Sequence, residues 1–429
     1  MQERVRVGIL GCGNVGSALV RLIHDHADVI EARSGMPLEV ALVAVRDLTK
    51  DRGLPLPASR FTDDAESVVG DPDVDIVVEV IGGIEPARSL IVDALMAGKP
   101  VVTANKELLG THGRSLFETA EGAGVDFLFE ASVAGGIPLM RPLRESLAGD
   151  RIRRVMGIVN GTTNFILTRM SDGGQGFDDA LAEAQALGFA ESDPTADVEG
   201  FDAAAKCAII ASIAFGARVT AADVHREGIT ELTLDDIASA RDLGYVVKLL
   251  AVAEELDGEV AVRVHPSMVP ERHPLAAVRD SFNAVFIEGD AVGELMLYGR
   301  GAGGGPTASA VLGDLVDAAK NLVEGRKGAT VGVLAAKPIR PIDEVSSQFY
   351  LLIEVADRPG VLAAIATEFG RQGVSIRSMN QRGIGEDARL IFVTHKAREA
   401  DVRKTVEALQ DVESVHRVGS VLRVMGEEE

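Results

Sequence analysis

The sequence predicts an α/β protein: a doubly wound parallel sheet, then an α+β unit, then a small closing βαββαβ unit of ferredoxin-like form. Three observations predict it. The first part alternates short β-branched runs with helix-like segments, the pattern of βαβ units on a parallel sheet. From about Phe127 to about Gly305 the strands lengthen and one long alanine-rich helix appears. Beyond a proline-broken stretch, four strand signals and two helix signals make up a compact last unit.

The strands of the first unit are "RVRVGIL", "LEVALVAV", "VDIVVEVI" and "KPVVTA". "PTASAVLGDLVDAAKNLVEG" reads as a further helix with Pro306 in its first turn, where a missing N–H costs nothing. "AAKPIRPIDEVSSQ" has no periodicity and reads as a linker. In the last unit the strands are "FYLLIEV", "VSIRSM", "RLIFVT" and "VHRVGSVLRV", with helices near "VLAAIATEFGRQ" and "EADVRKTVEALQ".

Composition narrows the function classes. A net charge of −22 argues against nucleic acid and against anionic membrane surfaces as partners. Two cysteines, Cys12 and Cys207, make no disulfide framework and no metal-ligand spacing, which suits a reducing compartment. With no signal peptide read at the N-terminus and no apolar run of spanning length, a cytoplasmic protein is expected.

"GILGCGNVGSALVRLI" places Gly11, Gly13 and Gly16 in G-x-G-x-x-G spacing, with Asn14 and Val15 at the helix start. The run follows a strand and opens a helix, the context that makes the pattern informative. Gly11 permits the tight turn, Gly13 lets a pyrophosphate approach the backbone, and Gly16 lets the helix pack on the strand. The bland alternative is an ordinary tight turn. At the end of the second strand Arg46 precedes Asp47, with Lys50 nearby; a guanidinium suits a 2′-phosphate, so NADP is favoured and NAD stays open.

Two lysines stand out. "KPVVTANKELL" ends a strand near Thr103 and brings Lys106 to the carboxyl end of a parallel sheet, where ligands bind. The alternative is a solvated loop lysine. Lys206 is odder, because "DAAAKCAIIASIAF" is otherwise apolar around its whole circumference. An unpaired ammonium there is expensive to bury. Asp202 lies one turn before it on the same face, with Glu191, Asp193 and Asp197 upstream. These residues read as a polar cavity at the helix start, with Lys206 a tunable proton donor. Snorkelling from a core helix is the alternative.

In order along the chain, the glycine turn, "TANKELL", "EASVAGGIP", "NGTTNFIL", "ESDPTADVEGFDAAAK" and "GRGAGGGPTASAV" resemble the homoserine dehydrogenase family. The closing "VADRPGVLAAIATEFGRQGVSIRSM" resembles an ACT domain. The resemblance spans essentially the whole chain. It implies NAD(P)-dependent interconversion of L-aspartate 4-semialdehyde and L-homoserine, on the route to threonine and methionine. It implies a Rossmann-type nucleotide domain over 1–130 and 306–340, a substrate and dimerisation domain over 131–305, and an ACT domain over 348–429.

Carried over by resemblance, Lys206 is the proton donor to the aldehyde oxygen and Lys106 the second lysine, near nicotinamide and substrate. Glu191 and Asp202 hold the substrate's amino end, with Asp197 in the same motif. "NGTTN" reads from its Asn-Gly as a hairpin turn; the resemblance places Thr162 and Thr163 beside the substrate as hydroxyl donors. Gly303 matches a cofactor contact, its alternative a flexible hinge. Backbone oxygens of Glu130, Val133, Gly135 and Ile137 match a sodium site, the alternative being a glycine hinge. The turn Asp357, Arg358, Pro359, Gly360 matches the region where ACT domains bind small amino acids, with threonine as the expected inhibitor. Deleting 348–429 is then expected to abolish inhibition and leave catalysis. The resemblance further implies a homo-oligomer, dimer or tetramer.

Phosphoglycerate dehydrogenase also joins these two domain types, but its mid-chain glycine turn and histidine acid do not fit. The other class of reading is a non-catalytic sensor of dinucleotide and amino acid.

Overall fold

The computed structural model describes residues 4–383 and 388–426. Six strands, β1 (Val5–Leu10), β2 (Leu38–Ala44), β3 (Phe61–Thr62), β4 (Ile76–Glu79), β5 (Val101–Thr103) and β6 (Phe127–Leu128), form one sheet. Every pairing in it is parallel, in the order β3-β2-β1-β4-β5-β6. This order reverses between β1 and β4, and a crevice opens there beyond the strands' carboxyl ends. Alternate residues face opposite sides. Val5, Val7, Ile9, Ile76 and Val78 meet the helices Asn14–Asp25 and Gly304–Val323. Val77 and Val101 on the other face join a core with Leu90, Ile91, Leu108 and Leu116. A helix some three hundred residues downstream of the glycine turn thus completes the nucleotide-binding layer.

The second sheet is longer. It contains β7 (Ile152–Ile158), β8 (His225–Arg226), β9 (Tyr245–Leu256), β10 (Glu259–Pro270), β11 (Phe282–Gly289) and β12 (Gly293–Arg300). It continues through β13 (Ser346–Val355), β14 (Ile376–Arg382), β15 (Ala388–Thr394), β16 (Ala397–Arg398) and β17 (Val415–Val424). The main path is β12-β11-β7-β9-β10-β17-β13-β15-β14. The β10–β17 seam, parallel at Ser267↔Arg423 and Met268↔Val424, fuses the closing unit to the middle one.

That fusion follows from the alternation of β13. Phe349, Leu351, Ile353 and Val355 pack under the unit's own helices Val361–Arg371 and Glu399–Gln410. Tyr350 and Leu352, with Ile391, Val393, Leu422 and Val424, face the other way and join the core of the middle unit. The proline-broken stretch is correspondingly no free tether. Ala335 bridges Ala217, Ile339 bridges Val260, and Arg340 pairs with Glu259 at 2.8 Å.

The helix Phe201–Phe215 explains its own sequence. One side packs on β9 and β10, the other on the helix Lys106–Ala123. There Gly110 lets the two helices close up, since a Cβ on it would lie 3.3 Å from that of Ala205. A helix walled on both sides is apolar on both. Among the described residues, no helix is long and apolar enough to cross a membrane.

Candidate active site

The glycine turn has the geometry a dinucleotide needs. Gly11 is left-handed (φ +100°), and a Cβ on it would meet Val80 O at 2.8 Å. On Gly16 a Cβ would lie 2.2 Å from Gly11 O, so strand and helix touch there. Gly13, which precedes the helix Asn14–Asp25, faces open space with nothing within 4 Å. Free space above a helix N-terminus is a cradle for phosphate. Gly303 (φ +115°) sits in the loop that closes over this turn, where a Cβ on its neighbour Gly304 would meet Asn14 O at 2.9 Å.

Arg46 and Lys50 are exposed beyond β2, and no hydrogen bond or ion pair of either side chain is found among the described residues. Asp47 instead turns its carboxylate onto the Thr49 N–H and hydroxyl, at 2.9 and 2.6 Å.

The two lysines share one carboxylate. Lys206 Nζ donates to Asp202 Oδ2 at 2.6 Å and to Val159 O at 2.7 Å. Lys106 Nζ pairs with the other oxygen, Asp202 Oδ1. Both lysines line a cavity of about 280 Å³ together with Val15, Gly82, Ser132 and Thr307. Asn160 Nδ2 ties the carboxylates together, donating to Asp197 Oδ1 at 2.7 Å and Asp202 Oδ2 at 2.9 Å. The cavity joins the cofactor crevice to the apolar helix.

Electrostatics separate the pair. Burial pulls the Lys206 ammonium below the ordinary lysine range, Asp202 opposing and the Lys106 charge adding to the effect. At Lys106 burial also acts downward, but Asp202 outweighs it and the pKa is raised. Its side chain stays 46% exposed, so solvent screens that pull. Burial would raise the Asp202 carboxyl; the Lys206 and Lys106 charges outweigh it and hold Asp202 well below the usual carboxylate range. Burial thus weighs against the Lys206 charge, while the Asp202 carboxylate favours that of Lys106.

Other expectations fare differently. "NGTTN" is not a hairpin: Asn160 caps the helix Gly161–Gly173, its Oδ1 accepting from Thr163 N at 2.9 Å. An Asn that accepts from N3 is a helix signal, and here it outranks Asn-Gly as a turn signal. The Thr162 hydroxyl donates to Phe189 O (2.7 Å) and that of Thr163 to Asn160 O and Oδ1 (3.1 and 3.0 Å), so both are engaged inside the fold. Glu191 is exposed, its backbone oxygen accepting from Gln185 Nε2, and Asp193 turns onto Thr195 N. Thr103 is buried and donates to Glu79 Oε2 at 2.6 Å.

Glu79 and Asn160 are the residues that sequence reasoning missed. Glu79 is wholly buried and also accepts from Ile81 N and Gly82 N (2.9 and 3.0 Å), shaping the loop beside Lys106. Its signal was a carboxylate at the end of an apolar strand run. Cys207, by contrast, is inert: burial pushes its thiol up to about 12.

The loop Glu130–Ile137 is buried apart from Gly136, with Ala134 (φ +57°) and Gly135 (φ +55°) left-handed. A Cβ on Gly135 would lie 2.3 Å from Gly301 O, so this loop and the Gly303 loop are in contact. The Glu130 carboxylate accepts from the N–H groups of Leu139, Met140 and Arg141. Among the described residues there is no cluster of His, Cys, Asp and Glu that could hold a metal ion. The Asp357–Gly360 turn is exposed at the end of β13, where Asp357 Oδ1 accepts from Gln381 Nε2 on the edge strand β14.

A glycine-turn crevice opening on a buried lysine–carboxylate pair fits an NAD(P)-dependent oxidoreductase that acts on a CH–OH group. Comparison with known proteins gives the particular family. Residues 11–130 match the homoserine dehydrogenase NAD-binding domain, 138–316 the homoserine dehydrogenase catalytic family, and 349–414 the ACT domain. The homoserine dehydrogenase of Mycobacterium tuberculosis is 51% identical, over 99% of this chain and 98% of its own. That of Bacillus subtilis is 45% identical over 99% of both. The crystal structure of a homoserine dehydrogenase from Thiobacillus denitrificans matches with a TM-score of 0.94 at 42% identity, covering 98% of each chain. A hyperthermophilic archaeal homoserine dehydrogenase, solved in complex with NADPH, matches at 0.63 and 31% over 73% of this chain and 97% of its own. The chain belongs to the homoserine dehydrogenase family, and its reaction is the NAD(P)-dependent interconversion of L-aspartate 4-semialdehyde and L-homoserine.

Proposed function

We propose that Lys206 moves the proton at the C4 oxygen, and that the cavity holding both lysines is where substrate and coenzyme meet. The observation that carries this reading is the single carboxylate of Asp202 shared by Lys206 and Lys106. When bound, the nicotinamide supplies or accepts the hydride. In the oxidative direction neutral Lys206 takes the hydroxyl proton; in the reductive direction charged Lys206 returns it. Burial favours its neutral state and the Asp202 carboxylate its charged one. Lys106 stays charged and stabilises negative charge at the reacting oxygen. Asp202 and Asp197, together with Glu191, are assigned the substrate's ammonium group. Thr162 and Thr163 serve this site by fixing the chain around Asn160, and Thr103 by fixing Glu79.

For the coenzyme, Gly11, Gly13, Asn14, Val15, Gly16 and Gly303 cradle the pyrophosphate. Arg46 and Lys50 take a 2′-phosphate, so NADP is preferred over NAD. The self-engaged Asp47 supports this, as does the NADPH complex of the archaeal relative. A sodium ion is assigned to the backbone oxygens of Glu130, Val133, Gly135 and Ile137; two consecutive left-handed residues suit convergent carbonyls. The ACT unit is assigned threonine as feedback inhibitor, bound near Asp357–Gly360, within a cytoplasmic homo-oligomer. The corresponding domains are 1–130 with 306–340, 131–305, and 348–429.

Absorbance at 340 nm with L-homoserine and NADP or NAD, with and without threonine, tests these assignments. Faster turnover with NADP, suppressed by threonine, is expected. Equal rates with the two coenzymes would remove the role of Arg46, and indifference to threonine would remove the effector.

A further inference from the structure

We propose that Arg423, near the end of β17, is a positioning residue for the reaction: through Glu227 it fixes the segment 197–202 that carries the site's carboxylates. The inference rests on the assignment of Lys206 and Asp202 above.

The chain of contacts is continuous. The Arg423 side chain is buried and forks two ways. NH1 and NH2 donate to Glu227 Oε2 and Oε1 at 2.5 and 2.7 Å; Nε and NH2 donate to Glu399 at 2.5 and 2.9 Å. Glu399 opens the Glu399–Gln410 helix of the ACT unit, so one guanidinium joins that helix to the middle domain. Glu227 lies in the segment 226–230, which holds 198–201 through several contacts. Ile229 N donates to Val198 O at 2.8 Å, Thr230 Oγ1 to Glu199 Oε1 at 2.9 Å, and Arg226 NH1 to Glu199 O at 3.0 Å. The Arg226 guanidinium also lies over the Phe201 ring, 3.4 Å from its centroid. At Gly228 the backbones are so close that a Cβ would lie 2.5 Å from Val198 O. The gripped segment begins just after Asp197 and ends just before Asp202, so both carboxylates inherit its position.

A bidentate pair between a buried arginine and a half-exposed carboxylate sets both distance and direction. A reacting geometry displaced by about 1 Å costs as much as ~100-fold in rate. The test is a double-mutant cycle of Glu227→Gln and Arg423→Gln in the full chain, read by kcat and KM for L-homoserine, coenzyme Kd and Tm. Each single variant is expected to lower kcat about tenfold, within the usual range of coupling. Coenzyme Kd should stay within about twofold, and the double variant should be no worse than the worse single one, as expected for residues acting through one contact. Lowered Tm with unchanged kcat, or losses that multiply, would overturn the proposal. Should Arg423→Gln not fold, Arg423→Lys takes its place, keeping the charge and losing the fork. A Lys206→Met variant that keeps its turnover would instead sink the site assignment. Loss of turnover there, with Glu227→Gln and Arg423→Gln unaffected, would sink only the positioning role.

Discussion

Lys206→Met is the substitution with the largest expected effect. Methionine follows the path of the lysine stem and removes only the ammonium, so the helix Phe201–Phe215 keeps its packing. A positioned general acid–base contributes about 10²–10⁴ in rate, or ~2.7–5.5 kcal/mol of barrier. The structure argues for the upper half of that range. Lys206 is 8% exposed, so no bulk water stands ready to replace it. Stability should fall far less: Asp202 loses one donor but keeps Lys106 and Asn160 as partners, and Val159 O is left without its Lys206 donor. Leaving one buried acceptor unpaired costs about 1–3 kcal/mol. The assay is coenzyme reduction with L-homoserine at 340 nm, with coenzyme Kd and Tm measured on the same preparation. A kcat reduced about a thousandfold, with coenzyme affinity within about twofold, is expected. A variant retaining a tenth or more of the wild-type kcat refutes the role of Lys206 in proton transfer.

Three further perturbations separate the parts of the account. Asp202 raises the Lys206 pKa against burial, so Asp202→Asn should lower it further. Aldehyde reduction needs the charged lysine, so its basic limb should move to lower pH; a limb that moves to higher pH contradicts the assignment. Arg46→Ala should raise the KM for NADP roughly 10–100-fold, the worth of a charge-assisted contact, and leave that for NAD nearly unchanged. Equal losses for both coenzymes would place Arg46 elsewhere. Deletion of 348–429 should destabilise the remaining chain and abolish turnover. It strips six buried apolar side chains from the shared core and unpairs β10 from β17. At about 1.5–3 kcal/mol each these amount to roughly 9–18 kcal/mol as an upper bound. A truncated protein that folds and turns over at the full rate would show the seam to be dispensable.

That last expectation reverses the one drawn from sequence, and the reason is physical. Both faces of a strand are legible as alternation, but alternation does not say what covers each face. Phe349 and Leu351 are covered by the unit's own helices, while Tyr350 and Leu352 join the core of the middle unit. The glycine turn and Lys206 were legible because each breaks a local rule, Gly11 by a left-handed backbone and Lys206 by a charge on a buried helix. Lys106 was legible from its place after a parallel strand. Glu79 and Asn160 were hidden because their work is done by partners distant in sequence, Thr103 for one and Asp197 and Asp202 for the other. The hydroxyls of Thr162 and Thr163 donate within the chain, as polar side chains at a helix start often do, and their pattern in sequence does not show this.

The most direct test of the shared-carboxylate site is a crystal structure with L-homoserine and oxidised coenzyme bound. The homoserine hydroxyl oxygen is expected within about 2.6–3.2 Å of Lys206 Nζ, the reach of a working general base. The ammonium group is expected on the carboxylates of the 191–202 segment. A hydroxyl held elsewhere, with Lys206 still closed onto Asp202 and Val159 O, would contradict the assignment.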